Sequence, residues 1–196
     1  MDTQTKVTGV ILAGGLARRM NNQDKGLIDF KGQPMVSYAI TAMNAVADQA
    51  IINANRNIAE YQAFGLPVVS DQTDSFDGPL AGVLTTMLFA ETGVLLVMPC
   101  DTPLVKAAHL QKLLSILAEQ DTDVAVAFDG ERLHPVFLAI KVSLKTSLHA
   151  YLTSGHRKVA NWLALQKMVK VDFSEEPEVF INVNTIEELS ALAAQY

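Results

Sequence analysis

The chain has 196 residues, of which 49% are hydrophobic and 18% are charged, and its formal net charge is -6 at pH 7. This composition indicates a globular protein with a sizeable core and excludes an intrinsically disordered chain. The negative charge argues against a broad nucleic-acid or anionic-membrane surface, although a local cluster of cations could still bind one nucleotide.

Neither export nor membrane insertion is indicated by the sequence. The first residues, MDTQTK, lack the apolar run of a signal peptide, and no apolar stretch approaches the roughly 20 residues that span a bilayer. Cys100 is the single cysteine, which excludes an internal disulfide and suits a reducing compartment. We therefore expect a cytoplasmic protein that binds neither nucleic acid nor membranes.

The first two thirds of the chain alternate short apolar runs with helical patterns. Strands are predicted at residues 7–12, 50–53, 67–70, 93–98 and 123–128, and helices at 34–47, 58–64, 79–91 and 106–119. This alternation predicts an α/β fold with a mostly parallel, twisted sheet and helices on both of its faces.

The last third of the chain is less regular. The predicted elements after Gly130 are a hairpin-like segment at 133–140, a helix at 144–152, a polar turn at 153–158, a short helix through Trp162, strands around 169–173 and 180–183, and a terminal helix from Thr185. Glu188 lies three residues after Thr185, which is the spacing of a capping box. No repeat or linker divides the sequence, so residues 1–196 are predicted to form one domain.

Glycine or polar residues lie at the end of four of the predicted strands or shortly after it. These residues are Gly14 with Gly15, Asn53, Asp71 and Asp101. In open parallel sheets, ligands bind outside the carboxyl ends of the strands. We therefore expect these residues to share one ligand site.

The connection after the first strand, residues 12–25, combines two glycines with three cations. Glycines let backbone amides approach phosphate oxygens, and Arg18, Arg19 and Lys25 could neutralise a triphosphate. The loop is not a Walker A motif, because no Gly-Lys-Ser/Thr ends it, and Gly14-Gly15 does not fit the dinucleotide fingerprint. The alternative is a glycine turn with solvated surface cations.

Three strand-end residues could complete a nucleotide site. Asp101 follows the most apolar strand and could hold Mg²⁺, which prefers carboxylate and phosphate oxygens. The alternative for Asp101 is a turn or N-cap aspartate. Asp71 could accept a hydrogen bond from a ribose or a base, and the Asn53 amide could read a base edge.

Three further segments carry weaker signals. The turn at 78–82 could present free amides to an anion, or Gly82 could be only a close-packing point. The basic turn at 154–158 could bind an anionic co-substrate or lie solvated. Asn182 and Asn184 would face one side of a strand. The four histidines have no metal-ligand spacing, and no serine lies in a G-x-S-x-G elbow.

The ordered series of these motifs resembles the molybdenum cofactor guanylyltransferase family over nearly the whole chain. The matching positions are 12–15, 19–20, 24–25, 71, 78–82, 99–103, 134–137, 155–157, 182–185 and 187–189. The first loop alone is shared with the wider nucleotidyltransferase superfamily, whereas the terminal Asn-Val-Asn-Thr followed by Glu-Glu-Leu is more specific. The resemblance implies the Rossmann-like fold of the nucleotide-diphospho-sugar transferases.

The resemblance also implies an activity. The family transfers GMP from GTP to molybdenum-bound molybdopterin with Mg²⁺ as cofactor, forming molybdopterin guanine dinucleotide and releasing pyrophosphate. Residues 1–105 would then be the nucleotide-binding part, and the remaining residues the molybdopterin-binding part. Other cofactor-biosynthesis proteins and acceptor molybdoenzymes are the protein partners that the resemblance suggests.

Residue roles follow from the same resemblance. GTP would bind to Leu12, Ala13, Gly14, Gly15, Lys25, Asn53, Asp71 and Asp101. Lys25, Arg19 and Asp101 would be the catalytic residues, with Asp101 also holding Mg²⁺. Molybdopterin would bind near Arg157, Lys158, Asn182 and Asn184.

One departure from the family lies in the phosphate loop, where Asn21-Asn22 replaces the common Gly-Gly. Asparagine tolerates left-handed backbone conformations, so the loop can keep its shape. The alternatives to a guanylyltransferase are a cytidylyltransferase of the same cofactor, a sugar-phosphate nucleotidyltransferase, and a non-catalytic nucleotide-binding protein. Cytidylyl relatives usually open with Leu-Ala-Ala-Gly, so Gly14 after Ala13 favours guanine.

Overall fold

The computed structural model describes residues 5–14, 24–71 and 78–196, and these form a seven-stranded sheet and a two-stranded ribbon. The strands are β1 Val7–Leu12, β2 Asp29–Phe30, β3 Gln33–Pro34, β4 Gln49–Asn53, β5 Val68–Val69, β6 Val94–Pro99, β7 Val124–Phe128, β8 Leu133–Lys141 and β9 Met168–Asp172. The order in the large sheet is β5-β4-β1-β6-β8-β7-β9. Neighbouring strands are parallel except at β8, which is antiparallel to β6 and β7.

Helices cover both faces of the large sheet. They are α1 Met35–Asn44, α2 Ile58–Gln62, α3 Pro79–Phe89, α4 Ala107–Glu119, α5 Lys145–Thr153, α6 Val159–Leu163 and α7 Ile186–Gln195. The core on one face takes side chains from α1, α2 and α4, and the core on the other face from α3, α5 and α6. Among the described residues, no helix is both long and apolar enough to cross a bilayer.

Strand β6 shows why the sheet needs helices on both faces. Leu95 and Val97 lie in one core, Leu96 and Met98 lie in the other, and all four side chains are fully buried. A strand that is apolar without alternation is typical of the centre of a parallel sheet, because both of its faces are covered. The predicted α/β fold with a mostly parallel sheet is confirmed.

Two elements of the last third differ from the prediction. The strand predicted at 180–183 is wrong, because Phe180 ends the 3-10 helix Pro177–Phe180 and residues 181–184 have no regular secondary structure. Pro177 suits a first helical turn, and the Phe180 ring is buried against His134 with the ring centroids 4.3 Å apart. The segment at 133–140 is not itself a hairpin but one long strand, β8, whose hairpin partner is β7.

Helix α7 is attached to the body of the protein at its first turn. The Thr185 side-chain oxygen accepts a hydrogen bond from the Glu188 backbone N–H at 3.1 Å, as predicted for a capping box. The Glu188 carboxylate accepts in turn from the backbone N–H of Asn184 at 2.6 Å, one residue before the expected donor. Leu192 of α7 packs in a small cluster with Val183, so the helix holds the segment before it in place.

Replacing Thr185 by Ala tests this cap. The substitution removes the side-chain acceptor at the start of α7, and we expect a loss of about 1 kcal/mol in the free energy of unfolding. For a chain of this size, the midpoint of thermal unfolding should fall by about 2–4 °C. Thr185→Ser, which keeps the hydroxyl, is the matched control. Equal midpoints for Thr185→Ala and Thr185→Ser would contradict the role of the cap.

Candidate active site

A cavity of about 440 Å³ opens at the carboxyl ends of β1, β4 and β6. It is lined by strand-end backbone and by a high proportion of polar side chains. The lining residues are Leu12, Ala13, Gly14, Asp24, Lys25, Asn53, Asn55, Asp71, Gly78, Pro79, Pro99, Cys100, Asp101, Val136 and Asn182.

The register of the strands explains why these residues meet. Leu12 ends β1 level with Asn53 on β4 and with Pro99 on β6, and Asn53 is level with Val69 on β5. The Ala13 N–H continues the ladder by donating to the Asn53 carbonyl oxygen at 2.8 Å. The residues that follow these strands therefore reach one edge of the sheet.

Lys25 connects three distant segments at this edge. It begins a short 3-10 helix, Lys25–Leu27, whose N-cap is Asp24. Its Nζ donates to Oδ2 of Asp101 at 2.9 Å and to Oδ1 of Asn184 at 2.6 Å. The structure thus joins two residues predicted to bind GTP to one predicted to bind molybdopterin.

The two carboxylate oxygens of Asp101 differ in their hydrogen bonding. Oδ2 accepts from Lys25, whereas Oδ1 is buried and has no hydrogen-bond partner within the part of the chain that the structure describes. The backbone oxygen of Asp101 accepts from the Val183 N–H at 3.1 Å, which fixes the residue against the C-terminal segment. Because an unpaired buried acceptor costs free energy, a donor or a cation is expected at Oδ1.

Asp71 is held by two asparagines. Nδ2 of Asn53 donates to Oδ1 of Asp71 at 2.9 Å, and Nδ2 of Asn55 donates to Oδ2 at 2.8 Å. Asn53 also donates to the Val69 carbonyl at 3.3 Å, so both of its amide hydrogens are engaged within the protein. The prediction that Asn53 reads a base edge stays a prediction, but its observed bonds orient Asp71.

Asp24 is a buried carboxylate that the sequence places within a family match at 24–25 but to which it assigns no role. Its Oδ1 accepts from the Tyr61 hydroxyl at 2.5 Å, and its Oδ2 lies 3.4 Å from Nδ2 of Asn57 and 3.9 Å from the Arg56 guanidinium. Burial, the nearby Cys100 thiol and the hydrogen bond to Asp24 raise the pKa of Tyr61 well above its ordinary value. The phenol therefore stays protonated and serves as a donor at the base of the Lys25 turn.

Two glycines allow the close packing around these side chains. A Cβ at Gly82 would lie 2.1 Å from Oδ1 of Asn53, and a Cβ at Gly26 would lie 2.5 Å from the Tyr61 hydroxyl. The interpretation of Gly82 as a close-packing point is confirmed. Burial raises the pKa of the Cys100 thiol, which agrees with its interpretation as a small core residue and not a nucleophile.

The residues predicted to bind molybdopterin are divided by the structure. Asn182 lines the cavity and Asn184 contacts Lys25. Arg157 and Lys158 lie on the turn between α5 and α6, outside the cavity lining, and Arg157 donates to the Leu152 carbonyl at 2.7 Å. Their role toward the pterin stays a prediction.

Part of the phosphate loop lies outside the described residues, including Gly15, Arg18, Arg19 and Asn21-Asn22. In the described ranges, no cluster of three or more histidine, cysteine or acidic residues could hold a metal by itself.

Comparison with known proteins agrees with this geometry. Residues 9–171 match the family described as the MobA-like NTP transferase domain. With its strand-end cavity and its α/β sheet, the chain is thus a nucleotidyltransferase.

Relatives with more than 40% sequence identity show to which family of nucleotidyltransferases the chain belongs. A molybdenum cofactor guanylyltransferase of Shewanella piezotolerans is 43% identical over 187 residues, covering 95% of this chain and 92% of the relative. One from Shewanella loihica is 44% identical over 188 residues, covering 96% of each chain. The chain belongs to the molybdenum cofactor guanylyltransferase family.

Solved structures show the same fold. Molybdopterin-guanine dinucleotide biosynthesis protein A from Archaeoglobus fulgidus superposes with a TM-score of 0.81 at 19% identity, covering 96% of this chain and 97% of that one. The 4-diphosphocytidyl-2C-methyl-D-erythritol synthase of Anaerococcus prevotii gives 0.74 at 12% identity, with 97% and 98% covered. The predicted nucleotide-diphospho-sugar transferase type of fold is confirmed.

Replacing Tyr61 by Phe tests the hydrogen bond from the Tyr61 hydroxyl to Asp24, the residue before Lys25. The substitution removes a donor to the buried Asp24 carboxylate, and we expect a loss of about 2 kcal/mol in unfolding free energy near neutral pH. Urea unfolding measures this loss. In the matched control Tyr38→Phe, the lost hydroxyl donates to the neutral Phe30 carbonyl at 2.8 Å, so the cost should be about 1 kcal/mol. If Tyr61→Phe lost less unfolding free energy than Tyr38→Phe, this would contradict the role of Tyr61 as a donor to a buried carboxylate.

The effect of Tyr61→Phe should also depend on pH. The pKa of Tyr61 is raised in the folded state, so its contribution is complete below the unfolded-state value of about 10 and declines as the pH rises above it. The difference in unfolding free energy between the unsubstituted chain and Tyr61→Phe should be constant below about pH 9 and shrink above about pH 10. A difference that grows at alkaline pH would show that the phenol is not held protonated.

Proposed function

We propose that this protein transfers GMP from GTP to molybdenum-bound molybdopterin, producing molybdopterin guanine dinucleotide and pyrophosphate. The observation that carries the proposal is the meeting of Lys25, Asp101 and Asn184 beside a nucleotide-sized cavity. The family to which the chain belongs, and the names of relatives over 40% identical to it, support the same reaction.

The phosphates of GTP fit the Lys25 end of the cavity. Lys25 supplies a fixed positive charge, and its side chain is 24% exposed, so a ligand can reach it. The backbone of Leu12, Ala13 and Gly14 borders the same space. Positive charge and backbone amides placed against a triphosphate stabilise the charge that accumulates on the leaving pyrophosphate.

The residues present fit a divalent cation at Asp101. Its Oδ1 is a buried carboxylate oxygen without a partner among the described residues, and Mg²⁺ prefers such oxygens together with substrate phosphates. Asp101 would hold the ion, and Mg²⁺ when bound supplies positive charge that neutralises phosphate oxygens. Lys25 holds the other oxygen of the carboxylate and so orients Oδ1.

The nucleoside fits the opposite end of the cavity. Asp71 follows β5 and Asp101 follows β6, and these strands lie on either side of β1 in the sheet. Asn53 and Asn55, which hold Asp71, line the same cavity. This arrangement separates a cation-containing phosphate end from a carboxylate that can accept hydrogen bonds from a base or ribose. This separation would orient the nucleotide with its α-phosphate between the two ends.

The reaction needs little covalent chemistry from the protein. A phosphate oxygen of molybdopterin attacks the α-phosphorus of GTP, and the bond from that phosphorus to the β-phosphate bridging oxygen breaks. The attacking phosphate is already anionic near neutral pH, so no general base is required. Positioning and charge neutralisation by this chain then carry most of the catalysis.

Molybdopterin would approach from the C-terminal segment. Asn182 lines the cavity, and Asn184 accepts a hydrogen bond from Lys25, which supports a role for their amides toward the attacking phosphate. Residues up to about 105 would then bind the nucleotide and the later residues the pterin. Arg157, Lys158 and Arg19 would add positive charge toward the anionic substrates. The cytoplasm is the proposed location.

Pyrophosphate release from GTP, CTP and ATP, measured with and without molybdopterin, tests the proposed function. We expect release only when molybdopterin is present, with GTP preferred. Preference for CTP would favour a cytidylyltransferase of the same cofactor. Binding of GTP without molybdopterin-dependent release would favour a non-catalytic nucleotide-binding protein. Either result would overturn the proposal.

Replacing Asp101 by Asn tests the phosphate end. The change removes the charge of the carboxylate while keeping its shape, and we expect kcat to fall by roughly a hundredfold or more. Asp123→Asn is the matched control, since Asp123 also forms an ion pair with a lysine, Lys141 at 3.1 Å, but lies outside the cavity. The control should keep its activity. Similar activity for both variants would remove Asp101 from the mechanism.

A further inference from the structure

The carboxylate of Asp71 is fixed in orientation, because both of its oxygens are hydrogen-bonded within the protein. Each of its two oxygens accepts a hydrogen bond from a different asparagine amide, at 2.9 Å from Asn53 and 2.8 Å from Asn55. Each carboxylate oxygen can accept a second hydrogen bond. Counting donors among the described residues, each oxygen therefore keeps one acceptor position, and Asp71 lines the cavity.

Asn55 contributes more to this arrangement than its position in a turn suggests. Besides donating to Oδ2, its own Oδ1 accepts from the Asp71 backbone N–H at 2.9 Å. The two bonds close a ring between Asn55 and Asp71, so the side chain cannot rotate without breaking both. Asn55 also lines the cavity, and a Cβ at Gly14 would lie 3.2 Å from its Nδ2.

We propose that Asn55 is a positioning residue for base selection, holding the Asp71 carboxylate so that both of its oxygens accept from the N1–H and N2–H groups of guanine. This inference rests on the proposed function, because it assumes that the base of GTP lies at the Asp71 end. Guanine presents two adjacent donors on its Watson–Crick edge. A carboxylate, which only accepts, matches that edge with two parallel hydrogen bonds.

The same carboxylate disfavours the other bases. Cytosine and adenine each present one exocyclic amino group next to a ring nitrogen lone pair on this edge. That lone pair would face a carboxylate oxygen, leaving two acceptors opposed in a partly dry site. Discrimination depends on the carboxylate being unable to turn away, and the ring with Asn55 provides that restraint.

Asn55 is a better position for a test than Asn53. Asn53 is only 3% exposed and packs against Gly82, so its substitution would disturb the core as well as Asp71. Asn55 is partly exposed and is not among the described residues with a positive φ, so Ala or Ser can occupy its position without backbone strain. Its amide bonds are directed at Asp71 and not at the core.

The test compares GTP with ITP, which has the same ring but lacks the N2 amino group. For the unsubstituted chain, kcat/KM for pyrophosphate release should favour GTP over ITP by roughly tenfold to a hundredfold, because ITP leaves one carboxylate oxygen unpaired. In Asn55→Ala the ratio should fall by about tenfold, mainly through a higher KM for GTP, since the base contact is remote from the reacting phosphate.

Two controls separate selectivity from folding. Asn161→Ala makes the same chemical change at an exposed position on α6 and should leave the GTP to ITP ratio unchanged. Asn55→Ser is a second variant, and the affinities of GDP and IDP give an equilibrium readout independent of turnover. A destabilised but correctly ordered site would weaken both nucleotides equally, whereas loss of positioning weakens GDP more than IDP.

The outcomes distinguish this proposal from the proposed function. A GTP to ITP ratio in both Asn55 variants equal to that of the unsubstituted chain would overturn the role of Asn55 while leaving guanylyl transfer intact. Preference of the unsubstituted chain for CTP, or binding of GTP without any transfer, would overturn the proposed function and this inference with it. A selective loss of GDP affinity in Asn55→Ala and Asn55→Ser supports the inference.

Discussion

The ion pair between Lys25 and Asp101 is the contact on which the rest of the site depends. It joins the turn that follows β1 to the residue just beyond the end of β6, with Nζ and Oδ2 2.9 Å apart. The same ammonium group donates a hydrogen bond to Oδ1 of Asn184, so the C-terminal segment is attached to the Lys25 end of the cavity. An ion pair of this kind contributes modestly to stability when it is partly exposed, so its position at a ligand edge is more informative than its strength.

Three aspartates at this edge are distinguished by their partners. Asp24 is buried and receives the Tyr61 hydroxyl, which makes it a support for the Lys25 turn. Asp71 receives amide donors on both oxygens and stays available as an oriented acceptor. Asp101 receives the Lys25 ammonium on one oxygen, and its other oxygen has no hydrogen-bond partner among the described residues. Identical side chains at one edge of the sheet thus differ in the contacts that they can offer, because their surroundings differ.

The sequence was informative wherever a residue directly ended a strand. Strand β6 can be predicted from its unbroken apolar run, and the position of Asp101 after a strand follows from that prediction. Asn55 was not found, because it lies beyond the end of β4 in a turn where asparagine is common for local reasons. The contact of Tyr61 with Asp24 joins residues 37 positions apart, and no local pattern reports such a pairing.

The most direct test of the central account is a crystal structure of this chain with GTP and Mg²⁺. The account predicts guanine against the Asp71 carboxylate and the phosphates between Lys25 and Asp101. A nucleotide with its base at Lys25 would contradict the orientation proposed here. A nucleotide bound instead in the cleft at the opposite edge of the sheet, which Asp48 and Lys141 line, would contradict the assignment of the cavity itself.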